Sequence, residues 1–324
     1  MRVLGVLGAA GIAPAAVLTP VRRRDDVVVG AVASRSGARD YADRYGIPAA
    51  YDSYAALLAD PSIDLVYNAL PPSLHAEWTV AALRAGKDVL CEKPFTMTAA
   101  EARRVAATAE ETGRRAVEAF HDFYHPLQGL VRGLLAEGVL GRIRAVEAVF
   151  DGSNPYEPNT IRHEPSLGGG ALMDLGCYPV HWVRSMFGEP TVVRAEADRN
   201  PSGADLTMRA ELTVGPDAAP VSLHCSMVEG VALRSTIVVQ GELGALQVEN
   251  LVFPSAGHSV RLTLGDVPHV STVAGRQTYD HQLEAVLAAL DSGAPLPTEG
   301  DDPVLNMAVI DAIYAAAGFE RPWS

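Results

Sequence analysis

The first 121 residues alternate short apolar runs with amphipathic stretches, and this constrains the fold more than any other feature of the chain. RVLGVLG (2–8) reads as a buried strand, followed by a turn of small residues and a helix to about residue 21. VVVGAVAS (27–34) is a second strand, and ARDYADRYG (38–46) is a helix that stops at its glycine. Then come a helix at 51–60, a strand at 63–70 ending before Pro71-Pro72, a helix at 74–86, a strand in DVLCEKP (88–94), a helix at 98–113 and a strand at 114–121. Strands alternating with helices of this length build a parallel sheet covered on both faces.

Past HDFYHP (121–126) the period changes. IRAVEAVFDG, VVRAEADR, LTMRAELTV, VSLHCSMVEG, STIVVQGELGALQVE and HSVRLTLG alternate apolar and polar residues, the pattern of an antiparallel sheet with one solvated or interface face. Two helices, 279–293 and 302–318, close the chain. The expected organisation is an α/β domain with a doubly wound parallel sheet over 1–122, then an α+β domain with an open-faced, mainly antiparallel sheet over 123–324. Helix 302–318 is free to pack back on the first domain.

A net charge of −13 argues against a nucleic-acid or membrane-surface partner. No run is apolar for long enough to span a bilayer. The N-terminal run has one basic residue, Arg2, and glycines in strand–turn–helix order, which opposes a signal peptide. Cys91, Cys177 and Cys225 form no CxxC, so neither a disulfide framework nor structural zinc is expected, and a reducing, cytoplasmic compartment fits. His121 and His125 are four apart, but Pro126 breaks the helix and no third ligand is evident, so no metal is expected.

GVLGAAGIA (5–13) follows the first strand and opens a helix, which reads as a dinucleotide-binding turn. It departs from GxGxxG: Gly8 is in place, but Ala10 and Ala13 occupy the second and third glycine positions, with Gly11 between them. The second strand ends on Ser34-Arg35, with Arg39 one turn on, where an NAD site carries a carboxylate for the ribose 2′-hydroxyl. A hydroxyl and guanidinium groups suit a 2′-phosphate, so NADP(H) is expected over NAD(H).

The chain has two lysines, Lys87 and Lys93, against 24 arginines. Lys87, in the turn AGKD, reads as an exposed residue of no special role. Lys93, in VLCEKPF, is another matter, since a lysine can be tuned to polarise, donate or accept where an arginine cannot. Here the sequence resembles the Gfo/Idh/MocA oxidoreductase family, through GVLGAAGIA, VASR, YNALPPSLHAEW, VLCEKPF, EAFHDFYHP, GGGALMDLGCYPVHWVR and MAVIDAIYAAA. The resemblance implies an N-terminal Rossmann domain and a C-terminal open sheet that often forms an oligomer interface, hence a homodimer or homotetramer.

It also implies roles. Lys93 is the family's EKP lysine, near the reacting carbinol or carbonyl. The D-x-x-x-H pair falls on Asp174 and Tyr178, the tyrosine resembling the glucose-fructose oxidoreductase, dimeric dihydrodiol dehydrogenase and sugar-ketoreductase branches. Gly8, Ala9, Ala10, Gly11, Ile12, Ser34, Arg35 and Arg39 carry over as cofactor contacts. Leu70, Pro71, His75, Glu92 and Lys93 do so near the ribose and nicotinamide. Where these branches often read EAFMYRYHP, this chain reads EAFHDFYHP, with Phe123 in the arginine's place.

In chemical terms, a free phenol is poorly matched to neutral pH, and a nearby ammonium favours its ionised form. Lys93 is therefore expected to polarise the oxygen and tune Tyr178, Tyr178 to exchange the proton, and Asp174 to orient Lys93. Arg162 and His181 are expected on the substrate side, and the glycines of GGG (168–170) are expected to let backbone approach the substrate. The leading reading is an NADP(H)-dependent oxidoreductase acting on a CH–OH group of a sugar, keto-sugar or polyol-like substrate. The alternatives are trans-dihydrodiol oxidation, a non-catalytic dinucleotide-binding sensor, and redox-neutral glycoside cleavage with bound NAD.

Overall fold

The computed structural model describes residues 1–265 and 267–319. They form two compact units, one from Met1–Phe120 with Gln282–Met307, the other from His121–His281 with the segment from Ala308 on.

In the first unit, β1 (Arg2–Leu7) leads through a π-helical turn (Pro14–Leu18) into the single-turn α1 (Thr19–Val21). Next come β2 (Val27–Ala33), α2 (Ala38–Tyr45), β3 (Ala49–Tyr51), α3 (Tyr54–Leu58), β4 (Leu65–Asn68) and α4 (Pro72–Arg84). β5 (Asp88–Cys91), α5 (Ala99–Thr112) and β6 (Ala116–Glu118) complete the series. All six strands are parallel, in the order β3-β2-β1-β4-β5-β6. Leu4, Val6, Leu7, Val32, Val66 and Leu90 are wholly inaccessible, as expected of a sheet covered on both faces. The chain reverses direction across the sheet between β1 and β4, and in such sheets ligands bind beyond the carboxyl ends of the strands at that point.

Two expectations about this unit are corrected. Residues 51–60 are not one helix: Tyr51 closes β3, and α3 runs only over Tyr54–Leu58. Lys87 is not an exposed turn residue: it is 7% accessible, and its Nζ donates to the carbonyls of Asp60 (2.8 Å) and Ile63 (2.7 Å). Those carbonyls lie just beyond α3 and need a donor once buried.

The second unit begins with α6 (Pro126–Ala136) and β7 (Ile143–Asp151). A second π-helical turn (Leu172–Gly176) then runs into α7 (Cys177–Phe187). The remaining strands are β8 (Thr191–Arg199), β9 (Asp205–Val214), β10 (Ala219–Ser226), β11 (Arg234–Gly241), β12 (Gly244–Glu249), β13 (Ser259–Leu264) and β14 (Val267–Ser271). They join β7 in an eight-stranded sheet, antiparallel throughout except for the β7–β10 pair. The helices α8 (Thr278–Ser292) and α9 (Asp301–Ala316) follow. No helix among the described residues is long and apolar enough to cross a membrane.

Candidate active site

In the first unit the glycine turn is shaped by the loop after β4. Gly8 has φ +97°, and a Cβ there would lie 3.1 Å from the Ala69 carbonyl oxygen, so conformation and close approach both require glycine. Nothing would lie within 4 Å of a Cβ on Gly11, which faces open space. Among the described residues, no protein acceptor takes the N–H groups of Ala10, Gly11 or Ile12. The Tyr41 hydroxyl on α2 anchors the turn by donating to the Ala10 carbonyl at 3.0 Å, and burial pushes its phenol up to about 12. Open donors on a fixed turn suit a pyrophosphate. Beyond β2, Ser34 is half-buried while Arg35 and Arg39 are exposed. Neither arginine forms an ion pair among the described residues, so both guanidinium groups are available to a phosphate.

The lysine loop is held on both sides of Lys93. The Glu92 N–H donates to the Asn68 carbonyl at 2.9 Å, and the Glu92 carboxylate accepts from the Tyr67 hydroxyl at 2.6 Å. The Phe95 N–H donates to Glu118 Oε1 at 2.9 Å. His75, on α4, faces the carbonyl oxygens of Pro94 (Nδ1, 2.9 Å) and Leu70 (Nε2, 2.7 Å), tying the loop to the β4 end. Burial drives the His75 pKa down to about 4; the two carbonyls oppose that shift, and the Lys93 ammonium adds to it. Half-buried Lys93 thus projects from a backbone fixed at three points.

In the second unit the helix carrying Tyr178 is seated by a buried carboxylate. Asp205 Oδ2 accepts from the Leu172 N–H at 2.7 Å, and Oδ1 accepts from the Tyr314 hydroxyl at 2.8 Å. Two glycines of the GGG run, Gly169 and Gly170, face the protein's own atoms at close range. A Cβ on Gly169 would lie 2.8 Å from the Arg162 carbonyl, and one on Gly170 would collide with Asp205 Oδ1. For Gly169 and Gly170 this corrects the expectation that the glycines clear space for a substrate: the protein's own groups fill it.

Asp174, on the π-helical turn, pairs with Arg162, Nε to Oδ2 at 2.9 Å. One helical turn on, Tyr178 is 4% accessible, with its hydroxyl 3.0 Å from His121 Nε2 and its ring edge-on to Phe150. His181 is buried, its ring 5.3 Å from that of Phe123. The Arg132 guanidinium, from α6, stacks 3.8 Å over the same Phe123 ring, so the phenylalanine that stands in the motif arginine's place carries an arginine cation on its face. Asp122 is fully buried and accepts from Trp182 Nε1 (2.7 Å) and Gln128 Nε2 (2.9 Å); burial raises its pKa.

Each unit therefore gathers its own sequence-predicted residues: Gly8, Leu70, Pro71, His75, Glu92 and Lys93 around the β1–β4 ends, and Arg162, Asp174 and Tyr178 at the start of α7. Sequence reasoning missed Tyr41, Glu118, Asp205 and Arg132, which bear on the site only through folded contacts. It weighed His121 as a metal ligand and as part of a departure from the family's motif, a histidine in place of its methionine, and not as a partner of Tyr178. No group of three metal-ligating side chains is found among the described residues.

A dinucleotide turn on a Rossmann sheet, joined to an open-sheet unit with a buried tyrosine, defines the class of two-domain NAD(P)-dependent oxidoreductases. Residues 2–120 match the oxidoreductase family with an NAD-binding Rossmann fold, and residues 130–247 match the GFO/IDH/MocA C-terminal domain. The chain belongs to the GFO/IDH/MocA oxidoreductase family. It is 36% identical over 317 residues to a D-xylose 1-dehydrogenase (NADP(+)) of Haloferax volcanii, covering 97% of this chain and 96% of the relative. It is 34% identical over 239 residues to a trans-1,2-dihydrobenzene-1,2-diol dehydrogenase of Macaca fuscata fuscata, covering 72% and 70%. The crystal structure of a 3-ketoreductase from Actinomadura kijaniata in complex with NADP and TDP-benzene superimposes with a TM-score of 0.90 at 30% identity, covering 97% of each chain.

Proposed function

We propose that the protein is an NADP(H)-dependent oxidoreductase that interconverts a carbinol and a carbonyl on a sugar, keto-sugar or polyol-like substrate. The observation that carries the cofactor preference is the β2 end, where Ser34, Arg35 and Arg39 offer a hydroxyl and two exposed cations and no carboxylate. The open N–H groups of the Gly8–Ile12 turn, beside Leu70 and Pro71, would hold the pyrophosphate and ribose. When bound, the nicotinamide supplies or accepts the hydride. Lys93 polarises the substrate oxygen, Tyr178 donates or accepts its proton, and Asp174 with Arg162 orders the polar side chains that meet the sugar hydroxyls. The xylose dehydrogenase and the 3-ketoreductase support a sugar substrate, while the dihydrodiol dehydrogenase supports a second reading, oxidation of a cyclic dihydrodiol.

The test is initial-rate assay of the purified protein with NADP+ and NAD+ against D-xylose, other aldoses and a trans-dihydrodiol, and with NADPH against a dTDP-keto-sugar. The expected result is turnover of a sugar with NADP+ or NADPH, at a kcat/KM above that with NAD+ or NADH. Turnover of the dihydrodiol alone, or a preference for NAD+, would reverse the corresponding half of the proposal.

A further inference from the structure

We infer that His121 is the positioning partner of Tyr178 and exchanges its proton, through a chain that runs Tyr178–His121–Thr278. This rests on the reading of Tyr178 as the group that protonates the substrate oxygen. His121 sits in the short turn His121–Tyr124 and is 1% accessible. Its Nε2 is 3.0 Å from the Tyr178 hydroxyl, and its Nδ1 is 2.8 Å from the Thr278 hydroxyl. The ring lies 4.1 Å from that of Tyr279 and 6.1 Å from that of Phe253. The polar and titratable groups facing the imidazole include Tyr178 from α7 and Thr278 and Tyr279 from α8. The neighbouring carboxylate, Asp122, is engaged by Trp182 and Gln128.

A neutral imidazole carries one N–H and one lone pair, and hydroxyls serve as donor or acceptor. Two arrangements therefore satisfy the same atoms. In one, Tyr178 donates to Nε2 and Nδ1 donates to Thr278. In the other, Thr278 donates to Nδ1 and Nε2 donates to the tyrosine oxygen. Passing between them moves a proton along the chain without breaking a contact. In the reducing direction the dihydronicotinamide C–H bond breaks and a C–H bond forms at the carbonyl carbon, so the cofactor is oxidised and the carbonyl reduced. The Tyr178 O–H bond breaks as the alcohol O–H forms. Starting from the second arrangement, His121 returns its Nε2 proton to the phenolate, Nδ1 takes the Thr278 proton, and slow exchange with solvent at Thr278, which is 3% accessible, restores that hydroxyl. In the oxidising direction each transfer is reversed.

His121→Gln keeps a polar side chain but cannot accept a proton, and Thr278→Val removes the far end of the chain while leaving the imidazole in place. One readout needs no substrate: ultraviolet titration of the phenolate band, taken as the difference between each protein and the same protein carrying Tyr178→Phe. The expected result is that ionisation of Tyr178 moves to higher pH in His121→Gln. In steady-state oxidation with NADP+, kcat should fall about tenfold to a hundredfold, with KM changed far less, and the limb of its pH profile that reports the tyrosine should move to higher pH. Thr278→Val should move both readouts the same way by less, which keeps the test open should His121→Gln fail to fold. Unmoved titration and kcat limb in the folded variants, with Tyr178→Phe inactive, would overturn this inference and leave the proposed function standing. Full activity in Tyr178→Phe would overturn the role of Tyr178 itself.

Discussion

Two lysines in a chain of 324 residues serve different ends. The Lys87 ammonium closes two backbone carbonyls behind α3, a task that a glycine-turn context conceals because its partners lie 24 and 27 residues away. Lys93 was conspicuous from its EKP setting, yet the clamps around it, at Glu92, Pro94 and Phe95, come from β4, α4 and β6 and could not be read locally. Beyond β2 the exposure of Arg35 and Arg39 was directly legible, since charge at a strand end needs no partner to be recognised. Changing Arg35 to alanine is expected to lower kcat/KM for NADP+ about tenfold to a hundredfold, the worth of a charged hydrogen bond of about 1.5–3 kcal/mol. The value for NAD+ should stay nearly constant in the same steady-state assay.

Element by element, agreement with the sequence pattern tracks how much of each element's stability is its own burial. β1, β2, β4 and the strands β7, β9, β10 and β11 appear where the apolar periodicity puts them, because each buries side chains at that period. β3 is three residues long and none is fully buried, so the helical residues after it dominate the pattern. β14 was not anticipated: all five of its residues are exposed, it contains Pro268, and it exists through pairing with β13. The π-helical turn that leads into α7 depends on a residue 33 positions from its first, Asp205, which takes the Leu172 N–H. Asp205→Ala is expected to cost about 1–3 kcal/mol by urea denaturation, because it leaves a buried N–H and the Tyr314 hydroxyl without this acceptor. It should also lower kcat more than it lowers cofactor affinity, since the carboxylate seats the tyrosine's helix rather than the dinucleotide turn.

For the whole molecule, buried histidines set an acid limit. The pKa values of His75 and His125 are both pushed down to about 4, first by burial; Lys93 adds to the effect for His75, and His281 and His258 add to it for His125. A histidine whose folded pKa lies below its unfolded value of about 6.5 stabilises the native state above that value and loses the contribution as pH falls toward 4. For His75 the loss is on the order of 3 kcal/mol. Asp122, whose pKa is raised by burial, acts in the opposite sense. Urea midpoints measured from pH 7 to pH 4 should therefore fall, and His75→Gln should flatten the slope relative to the parent protein.

The sequence by itself determined the fold class, a parallel sheet followed by a mainly antiparallel one, and it singled out the turn after β1 and the residues Lys93, Asp174 and Tyr178 as candidates. The sheets follow from periodicities a few residues long, which act through local geometry and burial, whereas the three candidate residues follow from the resemblance to the family's motifs. Only the tertiary structure decided what surrounds those residues. It shows that His75 ties down the lysine loop, that Asp205 and Tyr314 occupy the space beside the glycines, that Arg132 stacks on Phe123, and that His121 meets the Tyr178 hydroxyl. Such contacts join residues from five to more than a hundred positions apart. Buried polar groups must find partners wherever the packed chain supplies them, and no local pattern records that choice.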